Sequence, residues 1–528
     1  LMGAAGESIK ATSFPVDNSL LINDGDNQYL QKKNSGASSS DPTNADIGTI
    51  SVWFKRGDFP SGNNLRIWNH GDGTSPRVEL LIMGSSNKLM VNGGATSFQL
   101  ETTQVFRDPH AWYHAVVRID TGQSTASNRV RLYVNGELVS DYGTETQPSQ
   151  NQDVFTNSAD WWVGRWSGST GHNWDGYVSE LVYCDGQSLA PTAFGETDSN
   201  GVWRPIDPTS NTFGDQGFYL PFTTAAGLGQ DYSGSSTESK VQENTYNAGS
   251  EVNNGDMSGS AAGFVYTAIA TAKLATVKIN SSSRGFTNVT VQVQTDNGSN
   301  APDGTTLTNG EVTGITGSGT GLKTVDFPNG GPELTAGTKY WIVIPSTDLG
   351  SGFEWGIQHD VAGSGGALGI IDSTGYQAGR GYGHEVYQLG NIFTPVNSPT
   401  QSTDSPTTNA ATLSPLWTDT TLSNGNLKAV ATGNSYQWAI STIAIPSSGK
   451  WTFEAQSSNI DGSSKYGYVG ICQMGNHNAK TGNNYIYGMN VGTGEVVKNA
   501  SALVDVGASP LTSLMRIEYD ADNDTIKI

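Results

Sequence analysis

Cysteine is almost missing from this 528-residue chain: Cys184 and Cys472 are the two, and they stand in different regions. A disulfide-stapled scaffold is thereby excluded, and both read as small apolar core residues. Charge is scarce and one-sided, at 15% of residues, with 28 Lys and Arg against 49 Asp and Glu for a net charge of −21. A duplex nucleic-acid binder needs a basic footprint, so that class drops out. No run approaches the roughly 18 apolar residues of a membrane span, so no membrane insertion is expected. Residues 1–30 hold no apolar core of the kind a secretory leader carries.

Glycine, by contrast, is abundant at 66 residues, and Ser, Thr, Asn and Gln must cover the surface in place of charge. That composition points to β-structure with many tight turns, over a length sufficient for roughly three or four domains. Ile50 to Lys55 is apolar with partial alternation, and Trp112 to Ile119 is a near-continuous apolar run suited to a strand buried between layers. Arg129 to Val134 alternates, and Asn135-Gly136 then signals a hairpin into Glu137-Leu138-Val139, because both central turn residues need positive φ. Gly176 to Cys184 reads as a late core strand, and Gly217 to Phe222 closes the region.

Leu20 to Gly25 with Tyr29-Leu30, then Ser51 to Gly57, then Ala111 to Val117 and Leu132 to Gly136, resembles in consistent order a laminin-G-like, concanavalin A-like jelly roll. Phe106 to Pro109, Ala126 to Val130 and Phe194 to Asp198 resemble the version found in phage tail-fibre and other virion proteins. Leu334 to Ile344 is similar to the signature strand of small sandwich modules in surface and phage proteins. Leu422 to Leu427, Ser447 to Glu454 and Tyr466 to Ile471 resemble the start of a SPRY-type sandwich, which looks unfinished at Ile528.

The expected fold is all-β, tandem β-sandwiches joined by polar linkers with the jelly roll first. Residues 1–18 read as an arm, 19–225 as the jelly roll and 226–255 as a linker. Residues 256–392 read as a small β-sandwich, 393–415 as an extended Pro/Ser/Thr linker and 416–528 as the SPRY-like module.

Motifs for catalysis are sparse. Glycosidases on this architecture place acidic residues two apart on one strand, whereas Glu180 stands alone between Ser179 and Leu181. None of the seven histidines has metal-ligand spacing, and His114 reads as a hydrogen-bonded core residue. Asp520 to Asp524 reads as an acidic hairpin turn, and loops around Asp24 and Asp26 could take calcium, although no cofactor is demanded. The better candidate is aromatic: Trp161, Trp162, Arg165, Trp166, His172, Trp174 and Asp175 fall close together, and Tyr485 and Tyr487 form a weaker cluster. Indoles offer flat faces to sugar rings, while Arg, Asn and Asp bond hydroxyls. The competing reading buries some of these Trp in the sandwich.

A surface-type composition without a leader or disulfides fits a virion protein, assembled in the host cytoplasm and exposed on the particle exterior. The expected function is non-enzymatic: a phage tail fibre or receptor-binding appendage recognising host-surface glycans. The resemblance implies a homotrimer in contact with other virion proteins. Alternatives are a capsid decoration protein, a polysaccharide-degrading tail enzyme and a secreted bacterial adhesin.

Overall fold

A computed structural model describes residues 14–528 apart from 35–40, 60–61, 72–75, 95–96, 167–172, 224, 234–238, 245–261, 269–271, 282–285, 318–320, 328–330, 346–356, 359–368, 373–374, 379–380, 383, 389–391, 432–436, 458–467, 473–485, 492–494, 499–500 and 506–513. Among the described residues there is no α-helix, the regular elements being strands and short 3-10 turns, and no helix is long and apolar enough to cross a membrane.

The first sandwich opens with β1 (Ser19–Ile22), β2 (Tyr29–Lys32), β3 (Ile47–Arg56), β4 (Leu65–Gly71), β5 (Pro76–Ile82) and β6 (Lys88–Gly93). It continues with β7 (Phe98–Val105), β8 (Tyr113–Asp120), β9 (Val130–Val134), β10 (Glu137–Leu138), β11 (Tyr142–Thr146), β12 (Asp160–Val163) and β13 (Gly176–Asp185). A small hairpin, β14 (Gly195–Thr197) and β15 (Trp203–Pro205), precedes β16 (Phe218–Leu220). One sheet runs β10-β9-β8-β3-β13-β1, with β16 also on β13; the other runs β11-β7-β6-β5-β4-β12-β2. Apolar side chains of both meet in one core, including Leu20, Val52, Phe54, Leu80, Val91, Leu132, Trp161 and Val178.

The first sheet is covered on its other side too. Val116, Val182 and Cys184 pack there against Phe194, Phe213 and Tyr219. Strands buried on both faces need apolar residues at successive positions rather than alternate ones, which explains the continuous runs in β8 and β13. The predicted hairpin forms, with Asn135 at φ 48° and Gly136 at φ 84° between β9 and β10.

Residues 393–415 are not the extended linker their composition suggests. Thr394–Val396 pairs with β2 and Thr400–Ser402 with β1, adding an edge strand to each sheet, and Phe393 enters the core. Part of 226–255 likewise belongs to folded layers: Leu228 and Asp231 are buried, and Ser239–Asn244 pairs with His384–Gln388. Tyr219 N donates to Asp231 Oδ1 at 2.8 Å. The chain therefore leaves the first sandwich near residue 232 and returns at Phe393, whose N donates to Gly229 O at 3.1 Å. Glycine is required at 229 because a Cβ there would lie 1.8 Å from Phe393 O.

Between departure and return lies a second sandwich. One of its sheets contains Ser239–Asn244, His384–Gln388, Ala272–Ser281 and Gly321–Asp326. The other contains Pro302–Gly317, Phe286–Asp296, Lys339–Ile344, Ala262–Thr267, Gly369–Asp372 and Gly375–Ala378. Phe264, Leu274, Val277, Val291, Ile342 and Val386 share its core. The third region is built from small antiparallel sheets around Met489, Val491 and Met515. It begins against the first sandwich, where Tyr177 OH donates to Gly425 O at 2.7 Å and Asn426 Nδ2 donates to Gly57 O.

Candidate functional site

Strand alternation divides the tryptophan cluster. Trp161 and Trp162 are neighbours on β12, so they point to opposite faces. Trp161 faces inward, stacked on His70 at 4.5 Å and packed on Tyr183 and Phe218. Trp174 is also core, fully buried and edge-on to Phe54 at 5.8 Å. These two cannot take a ligand, which corrects the expectation for them. Asp175 lies at the sandwich rim beside Asp24, not with the aromatics. His172 and Tyr485 lie outside the described residues, as does the side chain of Tyr487.

Trp162, Arg165 and Trp166 do gather, on the outer face of the second sheet. Gly164, at φ 83°, ends β12, and a Cβ there would meet Ile22 Cδ1 at 2.4 Å. The turn carries Arg165 and Trp166 back over the sheet, held by Asn69 Nδ2 donating to Arg165 O at 2.8 Å. Trp174 N closes the base of this loop on Gly164 O. The Arg165 guanidinium sits 4.5 Å from the Tyr29 ring centre and 5.8 Å from that of Trp162. Arg66 lies 5.3 Å from the ring centre of Trp166.

Register then reveals what motif spacing could not. Trp162 stands opposite Gln31 on one side and Asn69 on the other. Asn69 pairs with Glu79, Glu79 with Asn92, Asn92 with Gln99 and Gln99 with Thr146. Cross-strand partners share a face, so Gln31, Trp162, Asn69, Glu79, Asn92, Gln99 and Thr146 form one row across seven strands. With strands about 4.8 Å apart, the row runs roughly 29 Å. Its centre is fixed: buried Glu79 accepts from Arg66 Nε at 3.3 Å and from Asn92 Nδ2 at 2.9 Å. Buried Asn69 keeps Oδ1 without a hydrogen-bond partner. Sequence reasoning missed Gln31, Asn69, Glu79, Asn92 and Gln99. No local signal marks them, because each of these strands carries further polar residues and the row exists only through the cross-strand register.

Elsewhere, the titratable groups have local explanations. His114 is buried, with its pKa pushed down to about 3 by burial. Trp203 Nε1 can only donate, and it does so to His114 Nδ1 at 2.9 Å; Nε2–H therefore donates to Ser51 Oγ at 2.8 Å. Ser51 consequently gains no base. Glu180 is buried at a bulge of β13 with φ 49°, accepts from Tyr219 OH, and is pushed up to about 8 by burial. Asp175 is likewise pushed up to about 8, by burial first and then by the charges of Asp24 and Asp58. Burial and Asp58 also raise Asp24. Asp520 accepts from the N–H groups of Asp522 and Asn523 in the turn that joins two strands. Among the described residues, no three or more His, Cys, Asp or Glu are gathered as metal ligands.

Residues 24–187 match a laminin G-type family described as the concanavalin A-like lectin/glucanases superfamily. No curated protein matches. Among solved structures, the chain is similar to a native heptameric SAP-like pentraxin from Limulus polyphemus at 14% identity, covering 36% of this chain and 76% of that one, TM-score 0.24. It is similar to a putative carbohydrate binding protein from Bacteroides ovatus at 17% identity, covering 41% and 54%, TM-score 0.25. A third is the CBM40 of the Ruminococcus gnavus IT-sialidase, at 15% identity, covering 31% and 94%, TM-score 0.23. The segment from residue 24 to 187 thus carries a concanavalin A-like lectin/glucanase fold at the N-terminal end of a nearly all-β chain.

Proposed function

We propose that the outer face of the second sheet binds saccharide chains, and that the protein is a virion structural protein. In this reading it is a phage tail fibre or receptor-binding appendage displaying that face to host-surface glycans. The observation that carries the binding reading is the row from Gln31 to Thr146 beside the Trp162, Arg165 and Trp166 group. The half-buried amides of Gln31, Asn92 and Gln99 at strand spacing suit hydroxyls, with buried Asn69 and Glu79 fixing the sheet beneath them, and the indoles suit pyranose faces. Weak sites on a trimer repeated over a particle would gain avidity from effective concentration. Purified full chain on immobilised host polysaccharides tests this. Binding that Trp162→Ala abolishes is expected, and binding unaffected by that change would defeat the reading.

Non-enzymatic action is part of the proposal, because Glu79 is already bound by Arg66 and Asn92. One observation favours the polysaccharide-degrading alternative, namely the Asp24 and Asp175 carboxyls that share a site at the rim. New reducing ends released from a bound polysaccharide, and lost in Asp175→Asn, would establish it. Electron microscopy of the assembled particle distinguishes a tail appendage from a capsid decoration protein.

A further inference from the structure

Resting on the glycan-binding reading, we propose that this face selects saccharides bearing a carboxylate, and that Arg165 receives the carboxylate.

The two arginines of the face are in different situations. Arg66 is already engaged, with Nε 3.3 Å from Glu79 Oε2 and NH1 donating to Asn64 O at 3.1 Å. Among the described residues, Arg165 has no carboxylate partner and no acceptor takes a hydrogen bond from its side chain; its Nε is buried without one. The neighbouring acid on β12, Asp160, accepts from Gln31 Nε2 at 3.0 Å and from Asn34 N at 2.9 Å. Other arginines without an acid spend their donors elsewhere, Arg118 on Ser188 Oγ and Arg129 on the carbonyls of Gln123 and Pro148.

Stacking explains how Arg165 is held and what remains of it. Tyr29 and Trp162 contact the guanidinium through their ring faces. Ring contacts hold the cation without consuming its N–H donors. Those donors form a planar fork that matches a carboxylate bidentately, which a lysine at the same place would not. Trp162 and Gln31 stand beside it in the polar row, so a sugar placed on Trp162 brings a ring substituent toward Arg165. Uronic and nonulosonic acids carry such a group. A neutral hexose does not.

The test uses the full chain, acidic polysaccharides, carboxyl-reduced forms of the same polysaccharides, and sulfated neutral polysaccharides. Reduction of the carboxyls should weaken binding about ten-fold or more, the size of one charge-assisted pair. Arg165→Gln should show the same loss on the acidic form and none on the reduced form, and Arg165→Lys should recover only part of it. Equal binding of acidic and reduced forms, with both lost in Trp162→Ala, would overturn the acid selection while leaving glycan binding intact. Preference for the sulfated ligand over the carboxylate would also overturn it. Binding of none of these polysaccharides would remove both readings.

Discussion

Lys55 Nζ lies 2.7 Å from Asp404 Oδ2, across 349 residues of chain, and both side chains are buried. Each charge is fully used. Lys55 also donates to Asn409 Oδ1 at 2.9 Å and Ala410 O at 2.8 Å, and Trp112 Nε1 donates to Asp404 Oδ1 at 2.9 Å. Burial lowers the Lys55 pKa, and Asp404 opposes that shift. The pair fixes the returning segment on the first sandwich.

Removing one partner strands the other in the interior. Asp404→Ala should cost about 3–5 kcal/mol in denaturant unfolding. Replacing both, as Lys55→Met with Asp404→Leu, should cost clearly less, because no unpaired charge remains. Equal losses in the single and double variants would show that the charge pairing is not what matters there.

Gly229 and Phe393 touch, so the second sandwich is an insertion that can be removed. A chain in which a short Gly/Ser linker replaces residues 234–391 should retain one cooperative unfolding transition by circular dichroism. If the shortened chain shows no cooperative transition, the first sandwich depends on the insert for more than connection.

Trp162 and Trp174 should separate binding from stability. Trp174→Ala opens a cavity against Phe54 and should destabilise the fold by about 3–5 kcal/mol. Trp162→Ala should cost far less stability while removing glycan binding. A Trp162→Ala protein that melts as low as Trp174→Ala would place Trp162 in the structural core instead.

Buried ionisable groups set a pH window. Asp175 and Glu180 are raised to about 8 in the folded protein, so their stabilisation is complete at acid pH and is lost as pH rises through that value. His70 and His114 are lowered from 6.5 to about 3, so theirs is present above 6.5 and lost on acidification. Between pH 6.5 and about 8 the histidines have finished titrating and these carboxyls dominate. The thermal midpoint should fall across that window, each group contributing up to about 1.4 kcal/mol per pH unit. Glu180→Gln should flatten the slope. A midpoint that is constant or rises over the window would contradict the assignment.

The all-β architecture was legible because core strands such as β3, β8 and β13 carry runs of apolar residues and β9–β10 carries a strong turn pair. The return strands were not, because three-residue edge strands show no periodicity and their Ser, Thr and Pro content matches that of a linker. The aromatic site was half legible. Neighbouring Trp161 and Trp162 must diverge by the pleat, but nothing local says that Trp174, in the turn before β13, packs on Phe54. The polar row was invisible, since it exists only once seven strands separated along the chain come into register.

The return of residues 394–404 to the first sandwich also orders events in time. A ribosome delivers β1 to β16 first, then all of residues 233–391, roughly 8–30 s of elongation. Throughout that interval the jelly roll has two uncapped margins and a lysine awaiting its counterion. The inserted sandwich, whose strands all lie within residues 239–388, can close in the meantime. The part translated later is thus finished earlier, and the lectin-like body is sealed only when its own last strands emerge.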